Sequence, residues 1–74
     1  MTKKDLEWLT KLAAVNMESD CITDDMKMDR MKEIWKFLET ARDLFLIDEK
    51  QRAAWCKEIT AAAIDANEKK KKTA

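Results

Sequence analysis

Apolar residues recur along the chain in three runs separated by short polar breaks. In the first run, Leu6, Trp8, Leu9, Leu12, Ala13, Val15 and Met17 fall within roughly 200° of a helix surface when plotted at about 100° per residue. Thr2 stands where a helix would be capped, and Asp5 places a carboxylate in the first turn. Asn16 and the stretch Glu18, Ser19, Asp20 end the run, because these short polar side chains compete for the backbone. The pattern predicts a helix over about residues 3–17.

The stretch Cys21–Ile22–Thr23–Asp24–Asp25 reads as the first loop, with Thr23 or Asp24 capping the next helix and both aspartates at its positive end. The second run comprises Met26, Met28, Met31, Ile34, Trp35, Phe37, Leu38, Ala41, Leu44 and Phe45, again spread over about 200°. Within it Met31, Ile34, Leu38, Ala41 and Phe45 form a heptad-like seam, too short to stand alone as a coiled coil. Met26, Phe37 and Leu44 make a second stripe on one flank, while Met28 and Trp35 lie on the other. A helix over about residues 24–47 is expected.

Asp48 with Gln51 three residues later resembles a capping box and marks the next break, although one long helix running through it is the alternative. The third helix, about residues 49–67, has a narrower face of roughly 120° made by Trp55, Cys56, Ile59, Ala62, Ala63 and Ala66. Ile64 falls off that face and is expected to be exposed. Residues 69–74, lysine-rich and almost without apolar side chains, are expected to be a disordered basic tail.

The absence of both Gly and Pro makes the fold class firm. Hairpin turns and phosphate-binding loops depend on glycine, so a β-rich fold and the nucleotide-binding fingerprints are excluded. What remains is rich in strong helix formers. The expected fold is all-α: a single domain over residues 1–68, arranged as a three-helix bundle or as a helical hairpin with the third helix folded back. At 74 residues such a domain removes only about 60% of its unfolded surface from water. Small domains of this kind usually gain support from a disulfide, a metal or another chain.

Composition removes two of those supports. With Cys21, Cys56 and no histidine, one chain cannot close a zinc site. The acidic group Asp20, Asp24, Asp25 and Asp29 lacks the glycine and the distal glutamate of a calcium loop, so it reads as helix capping. No cofactor or metal is expected. The N-terminal residues Met1 to Leu9 contain no apolar run suited to a leader, and no stretch is long and apolar enough to span a membrane. A cytoplasmic chain with reduced thiols is the expectation. That leaves association.

Catalysis finds no footing. Serine occurs once, at Ser19, and no histidine is present to activate either thiol. No small-molecule substrate is expected. Charge is balanced at 15 basic and 15 acidic side chains, but removing Lys69, Lys70, Lys71 and Lys72 leaves 15 − 4 = 11 against 15, a body of −4. Only this tail offers contacts for nucleic acid, and it would bind phosphates without sequence preference. Lipid surfaces are not expected partners, since no further amphipathic face is present.

Two wide apolar faces and one narrow, alanine-rich face do not match. The third helix cannot cover both others, so apolar surface is left over, on the Met26, Phe37, Leu44 stripe or on the Trp8, Val15 edge. The interface residues expected from patterning are Trp8, Val15, Met26, Met28, Met31, Trp35, Phe37 and Leu44. The expected function is non-catalytic: a small protein-binding or regulatory protein, acting as a homodimer or on another protein. Nucleic-acid binding through Lys69, Lys70, Lys71 and Lys72 is the alternative. In its shortness, its lack of motifs and its charged end, the chain resembles the small helical accessory proteins that bacteriophages and mobile elements encode, a likeness of size and style only.

Overall fold

The computed structural model describes the backbone of residues 2–73 and the side chains of residues 2–70. Among the described residues the chain forms α1 (Lys3–Glu18), α2 (Asp24–Asp43) and α3 (Glu49–Thr73), with no strand. They pack as an all-α three-helix bundle measuring 41 Å by 20 Å by 16 Å. At about 1.5 Å per residue, α3 alone accounts for most of the long dimension.

Each helix starts on a side chain that satisfies otherwise orphaned backbone donors. At α1, Asp5 Oδ2 accepts from the Thr2 backbone N–H at 2.7 Å and from its hydroxyl at 3.2 Å. At α2, Thr23 Oγ1 accepts from the Met26 N–H at 3.3 Å. At α3, Asp48 and Gln51 form the reciprocal box expected from their spacing: the Gln51 N–H donates to Asp48 Oδ1 at 2.7 Å, and the Asp48 N–H to Gln51 Oε1 at 3.1 Å. The second break is therefore real, and the single long helix is excluded.

The end of α1 is joined to the start of α2 by two buried polar residues. Lys27 Nζ donates to the Met17 carbonyl at 3.0 Å, satisfying one of the unpaired acceptors of the α1 C-terminus. Asn16 Nδ2 in turn donates to the Lys27 carbonyl at 3.1 Å. A lysine within an acidic stretch gives no sequence signal that it will be buried, yet Lys27 is only 6% exposed.

Two boundaries differ from the sequence-based expectation. Helix α2 stops at Asp43 rather than near residue 47. The Phe45 N–H donates to the Arg42 carbonyl at 3.0 Å, and the Leu46 N–H to the Ala41 carbonyl at 2.9 Å. This is a Schellman stop, and it requires a left-handed residue at Phe45, whose φ is 61°. Glycine normally fills that position. With no glycine in the chain, the stop carries no sequence mark, and Phe45 turns out of the seam to 94% exposure. The other difference is at the far end: the helix continues to Thr73, so residues 69–73, expected to be disordered, are helical, while Ala74 lies outside the described residues.

The core draws on all three helices: Leu9 and Ala13 from α1, Met31, Ile34, Leu38 and Ala41 from α2, and Ile59 and Ala63 from α3, with Ile47 from the second turn. Leu38 and Ile59 are fully buried at its centre. Helices α1 and α3 make the most extensive approach in the bundle. Ala13 of α1 and Ala63 of α3 are both buried, and side chains this small let two helices approach closely. Ile64 lies off this face and is exposed, as its position on the wheel requires. No helix among the described residues is long and apolar enough to cross a membrane.

A left-handed non-glycine residue costs about 1–2 kcal/mol. Glycine would relieve that cost but give back part of it through a freer unfolded chain. Phe45→Gly is therefore expected to stabilise the bundle by about 0.5–1 kcal/mol, seen as a rise of a few degrees in thermal denaturation followed by circular dichroism. A lower melting temperature would show that the aromatic ring contributes packing that outweighs its backbone cost.

Candidate functional site

Because α3 sits close on α1, the remaining sides of α1 and α2 diverge from it and leave a concave surface between them. Two stripes edge this groove. On α1 they are Trp8, Leu12, Val15 and Ser19; on α2, Met26, Arg30, Glu33 and Phe37. Both repeat with the same spacing of four, three and four residues, which keeps each stripe on one side of its helix. Ile22 from the first loop and Asp29 beside the α2 stripe also line the groove, and the buried Leu9, Asn16 and Ile34 form its floor. Its volume is about 690 Å³.

The lining is mostly apolar and largely open to solvent. Trp8 and Val15 are each 62% exposed, Phe37 51%, Met26 44% and Leu12 42%. Isolated exposed apolar residues are ordinary; five converging on one concavity are not. The two alternatives left open by the patterning, the Trp8, Val15 edge and the Met26, Phe37, Leu44 stripe, supply the two walls of one groove, with Leu44 alone of these residues outside it. Asn16 lies in the floor with its Oδ1 buried and without a hydrogen-bond partner, its orientation set by the bond from Nδ2 to Lys27.

Four of the expected interface residues thus come together: Trp8, Val15, Met26 and Phe37. Met28 is half exposed but lies outside the groove, and Leu44 is exposed at the second turn beside Phe45 and Leu46. Met31 and Trp35 are corrections. Met31 is 4% exposed and belongs to the core. Trp35 is half-buried against the core, with Nε1 donating to Thr60 Oγ1 of α3 at 3.0 Å. Both lie on the side of α2 that faces α3, and a helical wheel of α2 alone does not say which flank α3 covers. Leu12, counted as a face residue in the sequence, proves to be a groove residue; its place in the same stripe as Trp8 and Val15 was the available signal.

The basic end behaves differently from a solvated tail. Lys69 pairs with Asp65 at 3.1 Å. Lys70 pairs with Asp20 and donates to the Ser19 carbonyl at 3.2 Å, and this contact holds the Asp20 carboxyl below its ordinary range. Two of the four lysines offered for phosphate contacts therefore meet groups of the chain itself; the side chains of Lys71 and Lys72 lie outside the described residues. The strongest electrostatic cluster is at the start of α3. There Glu49 accepts from Arg52 at 2.5 Å and from Arg42 at 2.6 Å, and these two guanidinium groups lower its pKa to about 2. Cys21 is exposed, Cys56 is half-buried, and both are free thiols. Among the described residues no group of three or more acidic or cysteine side chains is placed to hold a metal ion.

The arrangement presents shape and apolar surface rather than a nucleophile beside a base. No protein-family model, curated protein or solved structure matches the chain.

Met31→Ala is expected to destabilise the fold by about 2–5 kcal/mol, as for other methionines removed from a packed core, with chemical denaturation as the measurement. A loss of association at unchanged stability would instead return Met31 to the interface. Glu49 is more acidic in the folded chain than its ordinary value of 4.5, so its contribution is complete above that pH and disappears as pH falls from there through about 2. The acid limb of wild-type helicity should therefore be steeper across that window than the limb of Glu49→Gln. Superimposable limbs in a pH titration by circular dichroism would remove the network from the stability of the second turn.

Proposed function

We propose that this chain is a non-catalytic protein-binding protein whose working surface is the α1–α2 groove, occupied first by a second copy of the chain. One observation carries the reading: Trp8, Leu12, Val15, Met26 and Phe37, all substantially exposed, line a single concave surface. Apolar surface gathered in this way is characteristically covered by another chain. Tryptophan and phenylalanine supply rigid anchors, and methionine adapts its shape to what it meets. A domain of 74 residues also gains more from association than a larger one, since its own core is small. Equal numbers of basic and acidic groups mean that two copies carry no net repulsion. The pairing of Lys69 and Lys70 with carboxylates weighs against phosphate binding as the primary role.

Sedimentation equilibrium over a wide concentration range, with thiols reduced, tests this reading. The wild type is expected to sediment as a dimer. Trp8→Ala combined with Phe37→Ala should weaken it by about 100-fold or more, the scale of losing two anchor side chains. Helicity should be nearly unchanged, because neither side chain is in the core. A wild type that remains monomeric throughout, or a double variant that dimerises as tightly as the wild type, would rule out the groove as the self-association surface.

A further inference from the structure

We infer that the two copies meet groove to groove about a two-fold axis running across the helices, so that α2 lies antiparallel on α2 of the second copy and Arg30 of each faces Glu33 of the other. This register rests on the groove being the self-association surface. Its basis is the order of residues along the α2 wall: Met26, Arg30, Glu33, Phe37, that is apolar, basic, acidic, apolar. The spacing of four, three and four residues reads the same in both directions. Reversing the stripe therefore sets Met26 opposite Phe37 and Arg30 opposite Glu33, and a two-fold axis makes each contact occur twice. Arg30 and Glu33 each meet the opposite charge and Met26 meets Phe37, while Asp29, which lines the groove beside this stripe, stands outside the pairing.

The α1 wall fits the same axis. The bond from Asn16 to the Lys27 carbonyl places those two residues at one height in the bundle. The midpoint of the α2 stripe lies between Arg30 and Glu33, about one and a quarter turns beyond Lys27, and the same distance back along antiparallel α1 reaches Leu12. The axis then passes beside Leu12, which meets its own equivalent, and the Trp8 indole of one copy falls against Val15 of the other, large side chain on small. The four helices enclose a new apolar core, with the Arg30–Glu33 pairs inside its edge.

The other way to join two grooves has its axis along the helices. It lays α2 on α1 of the second copy and sets Arg30 and Glu33 against Leu12 and Trp8. Two charges per copy would then lose water without gaining a partner, which is unfavourable. Charge order thus selects the crosswise axis and excludes the lengthwise one.

The test reverses the charges one at a time. Both residues are exposed, so Arg30→Glu and Glu33→Arg should each leave helicity intact. Alone, each variant sets like charges against one another twice and should weaken self-association at least about tenfold. Mixed in equal amounts, the two variants carry all-acidic and all-basic stripes and should recover a dimer containing one of each, detected by sedimentation with one variant mass-tagged. The double variant, with both charges exchanged, should dimerise like the wild type. Single variants that dimerise as the wild type does, while Trp8→Ala with Phe37→Ala still dissociates the dimer, would overturn this register and leave the groove as the interface. A monomeric wild type would overturn both.

Discussion

The structure depends on how closely α1 and α3 approach each other. Buried alanines line that contact, and a methyl group is the smallest side chain that still excludes water while keeping both backbones helical. Ile59 and Leu38 then supply the volume the alanines do not, filling the centre where the three helices converge. A third helix with larger side chains would stand further off and spread over α2 as well. With alanines it sits tightly on α1, and the far walls of α1 and α2 are left facing each other across the groove. The same economy that makes a small core possible leaves apolar surface outside it.

Polar contacts keep that geometry rigid at one end. Lys27 and Asn16 bind the last turn of α1 to the first turn of α2, fixing the height of one groove wall against the other. At the other end Arg42, Glu49 and Arg52 link the end of α2 to the start of α3. Being exposed, that cluster adds modestly to stability. Its geometric role is larger, because it spans a turn whose left-handed residue is held by backbone hydrogen bonds and whose Ile47 is anchored in the core. The site is thus an outcome of helix packing and end contacts, with Ile22 its contribution from a loop.

Much of this was legible in the chain. Helix number and type followed from apolar periodicity and from the missing glycine and proline, and the caps at Thr23 and at Asp48 with Gln51 stood where their side-chain chemistry placed them. The mismatch between two wide faces and one narrow one foretold surplus apolar surface. What patterning could not assign was the division of α2 between core and groove, since Met31 and Phe37 differ only in which flank α3 covers. Phe45 escaped for a separate reason: it continues the heptad spacing of the seam, and only the hydrogen bonds from its own N–H and that of Leu46 turn it outward. The basic end was misjudged because composition reports solvation and says little about a helix that simply continues.

The order in which the helices emerge during synthesis gives the α1–α3 contact a further consequence. Of the three helices, α1 is made first and has its main packing partner in α3, made last, and Lys70 closes onto Ser19 and Asp20 from the far end of α3. At about 5–20 residues per second, α1 and α2 wait several seconds for α3, holding Leu9, Ala13, Leu38 and the groove residues in water together. During that interval the newest copies carry two uncovered apolar surfaces instead of one, and chains made side by side on one message encounter each other first in that state.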